Sequence, residues 1–402
     1  MHESPNMKIS AHCILACLYF LLLPTTIAVN SAGNSILKLA TLPIGMYFLV
    51  TIIVSKKVLQ LNGIHLLLCI YTLSTVITLF VNSSSMSVDY VVGYCLNALL
   101  YICLSVVKYN ERELKLLEDV QILLLLLLLG LTFFSNGSAF DRTTLIIFGQ
   151  TCDPNYFVGY FVFPLSITMK RIVESKYHIV YVLLALLSIY CVFLSGSRGG
   201  LIAIVVLIIA FALIYPPKIK NKILVLLAGC CFVVCAWFFV APFLPENIIE
   251  RMSVENVIET GGTGRWYIWK SMLAEIFNSP NDFLFGRGIH ALHEIFIHGR
   301  WGTAVAHNQM IQVLYNQGFI GLIAFTALTI GCFLHCIKKR KTVSIALIGM
   351  IALSISLSFN QTTRTFWNLV AYAAINFSEN EYYISENTLK LPEEDNNGKN
   401  RK

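Results

Sequence analysis

Two uncharged apolar runs, ILLLLLLLGLTFF at 122–134 and IAIVVLIIAFALIY at 202–215, constrain this chain more than anything else in it. Each approaches the length that crosses a ~30 Å hydrocarbon core as a helix, about 20 residues with shorter spans possible. Similar runs recur along the sequence. Charged residues make up 13% of the chain and hydrophobic ones 56%, with a mean hydropathy of +0.70; soluble domains carry roughly 25% charged residues. The composition predicts an all-α polytopic membrane protein. Ala11–Val29 is as long as a true span and lacks a small-residue cleavage site, so it reads as the first span rather than a removable signal.

Apolar runs separated by polar breaks predict about twelve transmembrane helices, near 11–29, 36–54, 64–82, 88–107, 120–134, 155–169, 177–194, 200–215, 223–244, 308–337, 342–358 and 366–378. Alternate connections then hold twenty of the twenty-nine basic residues, among them Lys56-Lys57, Lys170-Arg171 and Lys338-Lys339-Arg340-Lys341. The positive-inside bias assigns that set, and both termini, to the cytoplasm. The expected organisation is nine spans over 1–244, one large external loop over 245–306, three spans over 307–378 and a cytoplasmic tail over 379–402. The polar end of that tail, LPEEDNNGKNRK, is expected to be disordered.

Seven of the nine external basic residues are arginines: Arg142, Arg198, Arg251, Arg265, Arg287, Arg300 and Arg364. Only four of the twenty cytoplasmic ones are. Topology needs positive charge alone, which lysine supplies, whereas arginine adds a planar fork of donors that grips phosphate oxygens in pairs. As a set they point to a phosphate or polyanion; Arg142 or Arg364 alone reads as a snorkelling residue at a helix end.

Several short motifs sit at external positions. Ser195-Gly-Ser-Arg-Gly-Gly200 is a glycine-rich turn able to present N–H groups and a guanidinium to phosphate, or simply a tight hairpin between spans. Thr263-Gly264-Arg265 opens an aromatic helical stretch, WYIWKSMLAEIF at 266–277, and Gly286-Arg287-Gly288 follows a turn at Asn278–Asn281. Trp266, Trp269, Phe283, Phe285, Phe296 and Trp301 suggest that this loop folds down onto the bundle. Cys152-Asp-Pro-Asn155 reads as a turn and helix cap, with Asp153 or Asn155 a lesser possibility for substrate contact. The twelve cysteines fall almost entirely within or at the edges of spans, Cys152 excepted, and read as small packing residues.

His307-Asn308 stands where the long loop meets the tenth span, followed by Gly318 and Gly321. An imidazole there can accept a proton from a sugar hydroxyl at the membrane rim, and the two glycines would let the span pack closely enough to fix it. His290, His293 and His298 cluster nearby, but their spacing matches no metal motif, even with Glu294, and no metal is expected.

As an ordered series, S-G-S-R-G at 195–199, T-G-R at 263–265, F-G-R-G at 285–288 and H-N-x9-G-x-x-G from His307 to Gly321 resembles the O-antigen polymerase and ligase family of bacterial envelope glycan enzymes. The likeness is clearest over about 150–340. It implies a metal-independent, inverting glycosyltransferase in the bacterial plasma membrane, with its site on the external face and no cofactor. The donor would be an undecaprenyl-diphosphate-linked glycan and the acceptor a second glycan, with a chain-length regulator and a flippase as pathway partners and no nucleic acid. By the same resemblance Arg198, Arg265 and Arg287 hold the diphosphate, His307 activates the acceptor hydroxyl, and Asn308, Gly318 and Gly321 support it. The modest loop and the lack of a large extra C-terminal domain argue against the protein-glycosylating branch of the family; of the other two, a polymerase of O-antigen, capsule or exopolysaccharide is favoured over a ligase acting on lipid A core. A lipid-linked glycan transporter is the reading from another class; it would place charges within the spans, where this chain has few.

Overall fold

The computed structural model describes residues 9–27, 36–54, 61–82, 85–107, 109–134, 137–139, 142–214, 227, 238–239, 241–259, 264–289, 293–297 and 300–338. The predicted eleventh and twelfth spans, most of the ninth, His290, His298, Arg364 and the tail lie outside the described residues.

Eight apolar helices build the first part: α1 (Ala11–Leu22, extended by a 3-10 turn to Ile27), α2 (Ile36–Val54), α3 (Gly63–Val81), α4 (Ser85–Val106), α5 (Glu111–Phe134), α6 (Pro154–Glu174), α7 (His178–Leu194) and α8 (Arg198–Ile214). A long final helix, α13 (Gln309–Lys338), packs along α3. Stretches Gly63–Val81, Glu111–Phe134 and Gln309–Leu334 are long and apolar enough to cross a membrane. The leucine run of α5 shows why such a helix needs lipid. Leu117, Leu124, Leu125 and Leu128 are fully buried against neighbouring helices, while Leu123, Leu126, Leu127 and Leu131 on the opposite side are exposed. A helix apolar all round cannot leave that second face to water.

The segment after α8 is organised as short helices: α9 (Glu246–Met252), α10 (Val254–Glu259), α11 (Arg265–Phe277) and α12 (Pro280–Phe285). Two apolar contacts hold it. Ile248 of α9 buries itself with Leu244 against Phe193 at the end of α7, a burial worth about 1.5–3 kcal/mol. Ile268, Met272 and Ile276, at helical spacing on α11, close over Ala306, Leu314 and Tyr315 at the start of α13. Phe283 stacks between Phe277 (centroids 5.5 Å) and Phe319 (5.3 Å), tying α11 and α12 to the long helix.

The structure corrects the expectation of helices alone. Three antiparallel two-stranded hairpins occupy connections: β1 (Ser138–Ala139) with β2 (Arg142–Thr143), β3 (Ile146–Ile147) with β4 (Gln150–Thr151), and β5 (His293–Ile297) with β6 (Arg300–Ala304). The β3–β4 turn is Phe148-Gly149, both at positive φ (49° and 77°), the signature of a two-residue turn matched to strand twist. Short antiparallel ladders satisfy backbone groups that a loop folded onto the bundle could not leave bare.

Candidate functional site

Four helix starts carry the chemistry-bearing residues. Ser197 caps α8, its Oγ accepting from the Gly200 amide at 3.1 Å, so that Arg198 is the first helical residue. Gly196 makes the turn before it at φ 57°. A methyl group there would lie 2.9 Å from Ile248, 3.1 Å from the Arg142 stem and 3.5 Å from the Arg251 stem, so those side chains would have to shift for any other residue, which would also carry the strain of the positive φ. Asp153 caps α6, accepting from the Asn155 amide at 2.7 Å. The two turns are joined, because Ser197 Oγ donates to Asn155 Oδ1 at 2.9 Å. Gly264, left-handed and without a side-chain cap, starts α11, again with arginine, Arg265, as the first residue.

The fourth start is that of α13. Asn308 Oδ1 accepts from the Met310 and Ile311 amides at 3.0 and 3.3 Å, making Asn308 the cap. His307 precedes it at φ 49°, a region that non-glycine residues seldom adopt. Such strain persists only when the surroundings enforce it, and here they do. Both backbone groups of Ala306 are tied down, its N–H to Gln312 Oε1 (2.8 Å) and its C=O to the Trp269 indole (2.6 Å). Trp269 lies one turn beyond Arg265 on α11, so one hydrogen bond couples the arginine's helix to the histidine's turn.

Arg198 donates through Nε (2.8 Å) and Nη2 to the Arg251 carbonyl and through Nη2 to Asn256 Oδ1 (2.6 Å). Arg251 returns a bond from Nε to the Gly196 carbonyl at 3.1 Å. The charges act on one another across the whole group. Burial, then Arg251, with Arg265 adding to it, lower the Arg142 pKa to about 10, against a pull upward from Asp153, so it stays protonated at neutral pH. Burial and then Arg251 lower the Arg265 value, again opposed by Asp153. His307 lies below the ordinary imidazole value because of burial first and Arg265 second, with Asp153 opposing. Arg251 and Arg265 also act on Arg198. Among the described residues, Arg142, Arg251 and Arg265 therefore act with one carboxylate, Asp153, near a neutral imidazole, and Arg198 joins them through Arg251 and Arg265. Added to that field are the positive ends of helices α8, α11 and α13, which favour anions.

Residues 183–326 match the family described as O-antigen ligase, 144 of the 402 residues. Over that stretch the chain is similar to the O-antigen ligase family. No curated protein matches the chain. The family region holds Arg198, Arg251, Arg265 and His307; Arg142 and Asp153 precede it.

Within this O-antigen ligase-type domain, Gly318 breaks α13 with φ 66° and ψ −166°. A methyl group there would strike the Leu284 carbonyl and the Gly286 amide, and one on Gly286 would strike the Asn316–Gln317 backbone. The close neighbour of Gly318 is thus the F-G-R-G turn rather than another span. Gly321 sits under the Gln317 side chain.

Arg287 is not brought into the arginine group. It pairs with Glu275 and lies 3.9 Å from Asp282, while its amide donates to the Tyr315 carbonyl at 2.8 Å. Glu275 also takes His293 Nδ1 (2.8 Å) and the Tyr315 hydroxyl (2.9 Å). Among the described residues no three His, Cys, Asp or Glu side chains gather in a metal-holding arrangement; His290 and His298 are outside that set. The sequence marks Trp269 only as one of the aromatics that fold the loop onto the bundle, and gives Gln312 no role. A glutamine four residues after a capping asparagine is the only hint the sequence offers, and it is a faint one.

Proposed function

We propose that this chain is a membrane glycosyltransferase that joins undecaprenyl-diphosphate-linked oligosaccharide repeats into O-antigen, capsular or exopolysaccharide, working at the external face of the bacterial plasma membrane. The observation that carries this reading is the excess of guanidinium charge over carboxylate beside a half-buried, neutral His307. A diphosphate leaves an anomeric carbon readily once its developing charge is met by fixed donors, and arginines fill the place that a divalent cation takes elsewhere. The acceptor hydroxyl loses its proton to the His307 imidazole as its oxygen bonds to the anomeric carbon. The bond from that carbon to the phosphate oxygen breaks with the electron pair leaving on the diphosphate, and attack from the opposite side inverts the centre. Arg198, Arg251 and Arg265 supply the field, and Asn308, Trp269 and Gln312 hold the histidine's backbone.

The second reading is a ligase that hands finished polymer to lipid A core, favoured by the description of the matched family. A transporter gains no support from that match. A deletion strain decides between the first two. Single-repeat chains on the carrier identify a polymerase, long polymer stranded on the carrier a ligase, and unaltered surface glycan overturns both.

A further inference from the structure

Among the described residues, Arg142 is the arginine of the group with buried donors that no partner takes. Its side chain is 7% exposed, yet among the described residues neither Nε nor Nη1 has a hydrogen-bond partner. Arg198, by contrast, uses Nε and Nη2 on Arg251 and Asn256, and Arg251 uses Nε on Gly196. Buried polar groups are paired almost without exception, and a charged donor left bare is the most costly of all.

The fold nonetheless builds this arrangement in. Arg142 sits in β2, in register with Ala139. The Thr144 amide bonds to Gly137 (3.0 Å) and its hydroxyl to the Cys152 carbonyl (2.7 Å), with Thr144 and Leu145 wholly buried. The Arg142 stem crosses the space that a side chain on Gly196 would need, beside the stem of Arg251. The turn is therefore left empty where two like charges approach. Asp153, the carboxylate that acts on them, already accepts two bonds at Oδ1 from Asn155, and it closes no bond to Arg142 Nε or Nη1.

We infer that Arg142 is a phosphate-gripping residue of this pocket, its unpaired donors on two edges of the guanidinium meeting oxygens of a diphosphate group that completes the site. It lies ahead of the region that the family shares, so the hairpin before α6 adds a ligand arm from outside the family domain. This rests on the diphosphate reading of the pocket given above. The matching ligand chemistry is a diphosphate, carried on a polyprenyl lipid or free.

The test uses the full chain in phosphatidylcholine nanodiscs, with Arg142→Lys, Arg142→Met and Arg265→Lys alongside the wild type. Undecaprenyl diphosphate binding and the ligand-free thermal midpoint are measured for each. Lysine keeps the charge without the fork; methionine fits the buried space without charge. Both Arg142 variants are expected to weaken binding by about ten- to a hundredfold, the range for hydrogen bonds to a charged group. The ligand-free midpoint of Arg142→Met should hold or rise, because an unpaired buried charge has gone. Competition by inorganic pyrophosphate shows that the free group suffices, and its failure to compete shows that the lipid-borne form is the ligand; either agrees with phosphate gripping. Wild-type affinity in both Arg142 variants overturns the inference. So does a lowered midpoint in Arg142→Met that Arg142→Lys restores along with binding, since that pattern belongs to a structural charge. Loss in Arg265→Lys alone leaves the diphosphate pocket standing without Arg142, and loss in none of the three removes the diphosphate reading itself.

Discussion

Two arginine-bearing clusters lie within reach of the start of α13, and they are built on opposite electrostatic principles. Around Arg287 the guanidinium is answered: Glu275 takes it with the His293 ring and the Tyr315 hydroxyl, and Asp282 stands by, while His293 Nε2 has no partner among the described residues. Near His307, Arg142, Arg251 and Arg265 act with the carboxylate of Asp153, and Arg198 acts with Arg251 and Arg265. A satisfied network ties elements together, here α11 and the F-G-R-G turn to α13. A cluster with more guanidinium than carboxylate suits the anion proposed for it. Arginine beside glycine near a helix start looks the same in sequence at 264–265 and 286–287; partners separate the receptor from the tie.

The comparison predicts its largest effect at the unsatisfied cluster. His307→Ala removes the positioned base and is expected to cost ~10²–10⁴ in rate. Arg265→Lys, which loses the bidentate fork, should likewise abolish visible polymer while membrane insertion stays normal. Complementation of a deletion strain, read as glycan length on a gel beside protein level, checks both. Normal chains from His307→Ala would end its assignment as base.

Next in size is Gly318→Ala, which strikes the seat of the F-G-R-G turn on α13. The residue holds a backbone conformation that alanine reaches only with strain of order 1–3 kcal/mol, and the new methyl group meets the Leu284–Gly286 backbone as well. A lowered thermal midpoint, together with lost polymer, is expected. Gly321→Ala is expected to lower the midpoint as well, since its methyl group would lie 2.2 Å from Gln317 Cβ, an atom that the backbone of α13 fixes. An unchanged midpoint in Gly318→Ala would mean that the break in α13 does not hold the F-G-R-G turn.

These contrasts mark how far the sequence alone reaches. Hydropathy locates the helices because lipid exposure demands uninterrupted apolar faces, as along α5. The His-Asn pair and the T-G-R and S-G-S-R turns stand out because caps and left-handed glycines are local requirements. The hairpins near 138–151 escape notice, their strands being two residues long. Arg142 reads as a snorkelling residue, since its burial over Gly196 depends on α6, α7 and α9 meeting there. Arg287 reads as a phosphate ligand, since its acid, Glu275, belongs to another helix face and is recognisable only once α11 has docked.

A smaller effect follows from pH. Burial and Arg265 hold the His307 pKa below its ordinary 6.5, so the ring is neutral at pH 7 and above, and activity should be level there. Below 6.5 the rate should fall as pH drops through the lowered value, approaching tenfold per unit once the ring is mostly protonated. Stability follows the same sign. The unfolded chain takes up a proton at higher pH than the folded one, so the contribution is present above 6.5 and lost as pH falls. Asp153→Asn keeps a capping side chain but removes the charge that raises the His307 value, and should move the acid limb of an initial-rate profile to lower pH. A limb that stays in place would show that Asp153 acts only as a cap.

The smallest effect is expected at the satisfied cluster, and its smallness is what makes it informative. Arg287→Lys keeps a positive charge near Glu275 and Asp282, groups about a third and a quarter exposed. Partly solvated ion pairs contribute about 0.2–1 kcal/mol, so the thermal midpoint should move little. The backbone bond from residue 287 to Tyr315 and the Gly286 contact persist in the variant, leaving the turn seated on α13. Polymer length should therefore match the wild type, in contrast to Arg265→Lys, although both substitutions are chemically the same. Severe loss of polymer at an unchanged midpoint in Arg287→Lys would bring Arg287 back as a diphosphate ligand. The Glu275 pairing would then describe only the state before substrate arrives, with the arginine released to the pocket when an anion binds.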